Sequence, residues 1–370
     1  MEIVLDYRPA LRARSGVGEY VHELARHVAE RLGAADGLTL FSASWRDRLD
    51  PGVITGTTMV DARVPVRLLN LAWHRLEWPP IELLARRRFD IVHSGHPLLT
   101  PARAGAQFVT IHDLDFLDHP ERSRREIRRD YPALAAAHAR RASRIVVSSR
   151  ATAAEVASRF SIDPARIVIC PAGAPGWAAA LPADTPRRHV LFIGTLEARK
   201  NLDGLLDAWA RVVAEMPDAP PLVIAGRATP DAAAALARMG KPPLKGRVRH
   251  AGYVSEPERQ ELYRDAAVLV LPSFHEGFGL TALEAMAAGV PVVASKRGSL
   301  PELIGDAGLL VDPEDSIEMS RALIAAISDP AMRARLSAAG RARAAQYSWA
   351  SSADRLIEAY RGAAAEPRPS

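Results

Sequence analysis

Two glutamates, Glu276 and Glu284, stand with seven residues between them around Gly277-Phe278-Gly279. The apolar run Val268-Leu269-Val270-Leu271 ahead of them reads as a buried strand. Pro272, Gly277 and Gly279 then make a turn where backbone can come close to a ligand. From Leu280 the pattern is helical, with Leu280, Leu283 and Met286 spaced by three. The N–H groups that open a helix have no intrahelical partner and favour a phosphate, while a carboxylate beside them can accept bonds from sugar hydroxyls. The stretch therefore suits a ligand that carries both phosphate and sugar. Glu276 lies in the loop and Glu284 in the helix, so their roles should differ. A glycosidase would also use paired acids, but it gives no role to a second feature, the cationic pair Arg199-Lys200 within Gly194-Thr195-Leu196-Glu197-Ala198-Arg199-Lys200-Asn201. That pair precedes a helix marked by Leu202, Leu205, Leu206 and Trp209, and two cations at a helix N-terminus suit a diphosphate whose negative charge grows as it departs.

Both features follow strands, and the rest of the chain repeats the arrangement. Strands are predicted at Glu2–Asp6, Leu38–Phe41, Asp90–His93, Phe108–His112, Ile145–Ser148 and Ile167–Ile169. A second series is predicted at His189–Gly194, Leu222–Gly226, Val248–Gly252, Val268–Leu271, Val290–Ala294 and Leu309–Val311. Helical segments separate them, so the fold class is α/β with mostly parallel sheets covered on both faces. A Pro- and Gly-rich stretch at 173–187 reads as a linker. The predicted organisation is a Rossmann-like domain at 1–172, the linker at 173–187 and a second Rossmann-like domain at 188–346. A last helix is predicted to start after Ser348, with Trp349, Leu356, Ile357 and Tyr360 on its apolar face. Ligands of open α/β sheets bind beyond the carboxyl ends of the strands, where nearly all the unusual residues fall.

The chain has 370 residues, 48% hydrophobic and 25% charged, as ordinary globular proteins do. No apolar run approaches the roughly 18 residues of a membrane span, and the first residues lack the layout of a signal peptide, which points to a cytoplasmic protein. The lone Cys170 excludes an intrachain disulfide and a cysteine-based zinc cluster. The net charge of +5 lies before about residue 170 and is densest from Arg122 to Arg150. That density is either a solvated helix face or an attraction to an acidic acceptor or to anionic lipid at the inner face of a membrane. Nucleic acid is not expected, because aromatic residues are sparse there. In the first domain, Arg12-Ala13-Arg14-Ser15-Gly16-Val17-Gly18 joins a strand to a helix. His93, His96 and His112 follow strands, Asp113-Leu114-Asp115 reads as a metal-binding Asp-x-Asp, and Trp73, His74 and Trp78 make an aromatic group suited to core or to an acceptor-lining or lipid-facing surface.

Phe192-Ile193-Gly194 with Glu197 to Asn201, His250-Ala251-Gly252-Tyr253-Val254, and Glu276 through Glu284 together resemble the retaining glycosyltransferases of family 4, over roughly residues 188–345. The first domain is similar more loosely, through Ser15-Gly16-Val17-Gly18 and Ile111-His112-Asp113-Leu114, the latter resembling bacterial mannosyltransferases. The resemblance implies a GT-B fold, in which two Rossmann-like domains face each other across a cleft and the C-terminal helix at 347–370 crosses back to complete the first domain. It implies that Arg199 and Lys200 hold the donor diphosphate, Glu284 binds the ribose and Glu276 lies beside the donor sugar. Phe278, Gly279, Leu280 and Thr281 would cradle sugar and phosphate, and Tyr253 and Val254 would border the base. Gly16 and Gly18 would approach the donor phosphates or the acceptor, and His112 would face the sugar. The implied reaction moves a hexose, mannose from GDP-mannose first and a UDP- or dTDP-sugar otherwise, to a glycan, lipid-linked or small-molecule hydroxyl. It needs no cofactor and no metal, the Asp-x-Asp being discounted, and no oligomeric state is implied. A sugar-nucleotide epimerase or hydrolase, or a non-catalytic sugar-nucleotide-binding subunit, are the other readings of the same residues.

Overall fold

The computed structural model describes residues 1–11, 16–45, 47–120, 125–180 and 188–366. The chain forms two compact units, one of Met1–Ala172 with Ser348–Ser370 and one of Gly173–Tyr347.

The first unit runs β1 (Glu2–Asp6), α1 (Val17–Arg31), β2 (Gly37–Ser42), β3 (Thr58–Asp61), α2 (Val66–Leu76), α3 (Ile81–Ala85), β4 (Ile91–Ser94) and β5 (Ala106–Ile111). It continues with α4 (Asp115–Asp118), α5 (Arg125–Arg141), β6 (Arg144–Val147), α6 (Arg150–Phe160) and β7 (Ile167–Ile169). Its strands form one parallel sheet in the order β3-β2-β1-β4-β5-β6-β7. Two apolar clusters, one with Val109, Ile145 and Phe160 and the other with Val4, Phe41, Trp73 and Val92, lie along one face, and on the other Leu5 and Leu38 gather with Tyr20, Val21 and Leu24 of α1. Parallel strands buried on both faces need unbroken apolar runs, which is why Ile145-Val146-Val147 has no polar alternation.

The second unit holds β8 (His189–Ile193), α7 (Leu202–Glu215), β9 (Leu222–Ala225), α8 (Ala233–Met239), β10 (Val248–Gly252), α9 (Glu256–Asp265) and β11 (Ala266–Leu271). It then adds α10 (Leu280–Ala287), β12 (Val292–Ser295), α11 (Leu300–Ile304), β13 (Leu309–Val311), α12 (Ser316–Ser328) and α13 (Pro330–Ala344). Its parallel sheet has the order β10-β9-β8-β11-β12-β13. All six residues of β11 are buried, each Val or Leu worth about 1.5–3 kcal/mol when removed from water. The last helix, α14 (Trp349–Ala365), starts at Ser348, whose side chain accepts the Ser351 N–H, and returns to the first unit to pack on α1.

Each sheet reverses its strand order once, between β1 and β4 and between β8 and β11. Connections leave such a point in opposite directions and open a crevice beyond the strand ends. The residues that follow β1, β4, β8 and β11 are therefore the ones the fold sets beside ligand.

Three expectations change here. The stretch 173–187 is not a bare linker: Gly176–Ala180 forms a short 3-10 helix belonging to the second unit, because Trp177 stacks on Tyr263 at 5.6 Å and Ala178 is buried. Residues 181–187 of that stretch lie outside the described residues, as do Arg12–Ser15, Arg122, Arg124 and the tail 367–370. The aromatic group at 73–78 is not one cluster. Trp73 is core and donates its indole N–H to the Pro79 carbonyl at 2.9 Å, His74 bonds Asp130 at 2.9 Å, and Trp78 is exposed. Finally, β3 is an additional strand.

Candidate active site

At the second switch point, the chain leaving β8 makes a short 3-10 turn, Ala198–Lys200, before Asn201 starts α7. The chain leaving β11 makes the loop to Gly279. The two segments are tied by the Phe274 N–H, which donates to the Arg199 carbonyl at 2.8 Å. This places three of the expected site residues in direct contact. The Lys200 ammonium donates to Glu276 Oε1, and Ser273 Oγ donates to the same oxygen at 2.7 Å. Arg199 Nη1 reaches Glu276 Oε2 at 3.2 Å and the His275 carbonyl at 3.0 Å, while its Nε pairs with Glu197 at 2.7 Å.

Glu276 and Lys200 are both buried. Burial alone would raise the Glu276 carboxyl, but Lys200 and Arg199 overcome that and hold it at about 2. Burial lowers Lys200, and Arg199 adds to this, against the pull of Glu276 upward. The carboxylate is thus ionised at neutral pH, clasped on both oxygens, and offers no proton. Glu276 fixes the two cations in place, an arrangement that orients them without leaving either buried charge alone.

Glycines shape the floor of this crevice. Gly226, at the end of β9, has φ +139°, and a Cβ there would lie 1.8 Å from the Gly194 carbonyl oxygen. The Gly194 backbone there leaves no room for a side chain. Gly279 has φ +98° and opens α10, and a Cβ would meet Leu300 at 2.6 Å. Its carbonyl accepts the Ala282 and Leu283 N–H groups at 2.9 and 3.1 Å. Among the described residues, no partner is seen for the N–H of Leu280 or Thr281, as expected for the first turn of a helix. The loop thus carries phosphate-seeking donors next to the Arg199–Lys200 pair.

Glu284, in α10, is 3% exposed and is also occupied. Arg259 donates to its Oε1 and Tyr263 to its Oε2, each at 2.7 Å. Each carboxylate oxygen retains acceptor capacity for a hydroxyl. Arg259 and Tyr263 were missed from the sequence. They lie four apart on α9, a spacing that puts them on one helix face, and this was the available signal. Phe278 packs edge to face on Tyr347 at 5.8 Å. Tyr253 is exposed just past β10, with Arg227 over its ring at 5.8 Å, and Val254 is half-buried beside it.

The first unit carries its own strand-end groups. Gly16 starts α1 with φ +53°, and Gly18 packs so closely on Pro9 that a Cβ would come within 2.8 Å of that carbonyl. The His112 ring meets Tyr20 edge on at 5.2 Å, and its Nε2–H donates to the Gly95 carbonyl at 3.2 Å. Burial lowers the His112 pKa, so the ring is neutral at pH 7 and Nδ1 holds a lone pair. His93 is structural: it sits buried between Tyr360 and Thr110, and burial pushes it down to about 3. Asp113 Oδ1 accepts the Asp115 N–H at 3.2 Å, so the Asp-x-Asp segment is the turn that begins α4. Unforeseen was a group at the β1–β4 switch point. Arg8 pairs with Asp6, donates to Asn70 at 2.7 Å and lies 4.7 Å over the Trp73 ring, while His96 reaches Asp6 at 3.2 Å. Burial works against ionisation of Asp6, but Arg8 and His96 hold its carboxyl far below the usual range.

Comparison with known proteins agrees with this geometry. Residues 176–343 match the family described as glycosyl transferases group 1, and residues 14–175 match glycosyltransferase family 4. The chain is 29% identical to the O-antigen chain mannosyltransferase B of Escherichia coli, over 98% of this chain and all of that protein. It is 30% identical to a D-inositol 3-phosphate glycosyltransferase of Acidothermus cellulolyticus, over 97% of this chain and 88% of that one. Among solved structures, a sucrose-phosphate synthase from Thermosynechococcus elongatus superposes with a TM-score of 0.75 at 24% identity, covering 98% of each chain, and shares the fold. Two parallel-sheet units, each with a switch-point crevice, and family matches along nearly the whole length lead to one conclusion: the chain belongs to the family 4 glycosyltransferases of GT-B type.

Proposed function

We propose that the protein is a retaining, metal-independent hexosyltransferase that moves mannose from GDP-mannose to a hydroxyl of a glycan, lipid-linked or small-molecule acceptor. The observation that carries this reading is the Arg199–Lys200 pair, fixed by the ionised Glu276 beside the open N–H groups of α10. A diphosphate bound to those N–H groups would lie against two oriented cations. Its negative charge rises as the bond from sugar C1 to the phosphate oxygen breaks, so stabilisation by the clamp grows toward the transition state. The new bond from C1 to the acceptor oxygen forms on the same face of the sugar, and the acceptor proton passes to a phosphate oxygen of the departing diphosphate. This assignment needs no enzymic base, in keeping with a Glu276 that is clasped on both oxygens.

Glu284 takes the ribose hydroxyls, with Arg259 and Tyr263 setting its carboxylate, and Tyr253 borders the base. His112 accepts a sugar hydroxyl at Nδ1, and Gly16 and Gly18 leave backbone open to phosphate or acceptor. The preference for mannose rests on the His112-Asp113-Leu114 segment and on relatives named as mannosyltransferases. The test is a thermal-shift screen of GDP, UDP and dTDP, followed by NMR of the product made from the winning sugar nucleotide. The proposal expects a GDP shift, transfer that requires acceptor, and an α-linked product. A UDP shift alone would overturn the donor. Product from donor alone would replace transfer with hydrolysis or epimerisation, and a β-linked product would exclude retention.

A further inference from the structure

The group around Arg8 has no part in the donor chemistry. Asp6 closes β1 and Arg8 follows two residues later, at the β1–β4 switch point. The Asp6 carboxylate accepts from four N–H donors: the Arg8 backbone at 3.1 Å, Arg8 Nε at 2.8 Å, Arg8 Nη2 at 2.5 Å and His96 Nε2 at 3.2 Å. His96 Nδ1 accepts the Leu98 N–H at 3.3 Å, which puts the ring proton on Nε2. A carboxylate offers about four acceptor sites, so Asp6, 2% exposed, has none to spare for a ligand. What it does is cancel the charge of Arg8. A buried ion pair is seldom a device for stability, because desolvation offsets the attraction.

The group leaves several oriented hydrogen-bonding edges open. Of the guanidinium's five N–H groups, Nε and one on Nη2 serve Asp6, and one on Nη1 serves Asn70 Oδ1 at 2.7 Å. One N–H remains on each terminal nitrogen. Asn70, Trp73 and His74 stand three and four apart on one face of α2. Trp73 is buried under the guanidinium at 4.7 Å, and Asn70, with its oxygen on Arg8, presents its amide N–H groups. His74 Nδ1 donates to Asp130 at 2.9 Å, and burial keeps the ring neutral, so its Nε2 carries a lone pair. The His96 ring stacks on Tyr131 at 6.3 Å. Arg8, Asn70, His74, His96 and Tyr131 are each half-buried, so they reach solvent above the buried layer of Asp6 and Trp73. They gather where the switch point opens its crevice.

Fixed donors beside a fixed lone pair suit a partner that both accepts and donates, which is what a hydroxyl does. An anion gains nothing here: Arg8 is already neutralised, and a phosphate drawn to it would come up against the Asp6 carboxylate. We propose that Asp6, by neutralising Arg8, makes this crevice an acceptor subsite for an uncharged sugar and closes it to a phosphate-bearing one. The inference rests on the transfer reading and goes beyond it by naming the class of acceptor group.

The test is saturation-transfer NMR of the full chain, with excess GDP present to occupy the Arg199–Lys200 clamp. The probes are methyl glycosides of mannose, glucose, galactose and N-acetylglucosamine, each beside its 6-phosphate. Expected is binding of at least one glycoside, with its 6-phosphate weaker by about tenfold or more. Asp6→Asn keeps the shape and uncovers the Arg8 charge, so the 6-phosphate should gain about tenfold and the preference should invert. Asn70→Ala should weaken the glycoside about tenfold with melting and GDP binding unchanged, and it carries the test should Asp6→Asn fail to fold. No glycoside binding, a 6-phosphate bound as tightly as the glycoside in wild type, or an unaltered preference in folded Asp6→Asn would overturn the proposal. So would full glycoside affinity in Asn70→Ala. GDP binding on the same samples separates the two readings. A chain that binds GDP and no glycoside refutes the subsite alone, and one that binds glycoside without GDP supports the subsite and refutes the donor.

Discussion

The two sheets reverse strand order at equivalent places, yet the groups set there differ in kind. At the β8–β11 switch point a lysine, an arginine and a glutamate are locked together beside the start of α10. At the β1–β4 switch point the Arg8–Asp6 pair meets His96, and the ring of His112, past β5, is kept neutral by burial with its Nε2–H on the Gly95 carbonyl. One unit is arranged to meet negative charge, and the other combines a neutralised ion pair with a neutral, hydrogen-bonding ring. The same architecture therefore carries two chemistries, and strand-end residues, not the fold, decide which.

The contrast is broken most sharply at Lys200. Replacing it by Ala should lower kcat by about 10²–10³-fold, the range for removing one oriented charge-stabilising donor, whereas His96→Ala in the first unit should cost less. Steady-state transfer rates for both variants check this, and a Lys200→Ala rate within a few-fold of wild type would end the clamp assignment. Next comes Gly226→Ala, which should destabilise the second unit by about 3 kcal/mol, because a Cβ meets fixed backbone in a strained region. Urea unfolding followed by the fluorescence of Trp209, buried in that unit, reads the change.

Acid should separate the units. His93 sits at about 3 when folded against an ordinary 6.5. Below pH 6.5 the unfolded chain therefore binds a proton that the native ring does not, and stability present above pH 6.5 drains as pH falls toward 3. Between pH 7 and 5 this amounts to about 2 kcal/mol, and His138, at about 4, adds in the same direction. Glu276 contributes stability of the same sign in a lower window, present above its unfolded value of 4.5 and lost as pH drops through about 2. Hydrogen exchange at pH 7 and pH 5 should show protection falling more in the first unit than in the second. Equal losses would contradict the contrast. The smallest effect is expected from Arg259→Ala, which should raise the donor KM by about tenfold with little change in kcat, since it only orients the Glu284 carboxylate.

Much of this was legible in the sequence because parallel sheets write themselves as apolar runs. Strands at Glu2–Asp6, Ile167–Ile169, Val248–Gly252 and Leu309–Val311 were placed to the residue. The strand Thr58–Asp61 was not, because it is an edge strand with no residue fully buried and so lacks that signature. Gly176–Ala180 was hidden by its composition, since its order comes from a Trp177–Tyr263 stack between residues distant in sequence. The residue types of the site were readable from spacing. Their pairing was not: that Glu276 clasps Lys200 and Arg199 depends on β8 and β11 being neighbours, a topological fact that no local pattern contains. The Asp6–Arg8–His96 group was invisible for the same reason.

The claim that Arg199 and Lys200 grip a diphosphate is tested most directly by calorimetric titration of GDP against guanosine, or of the corresponding pair if another base wins the screen. The clamp predicts that the diphosphate strengthens wild-type binding by about 100-fold or more, and that in Lys200→Ala this margin shrinks to less than about tenfold while the nucleoside binds as before. Equal affinities for GDP and guanosine in wild type, or an undiminished margin in the variant, would contradict it.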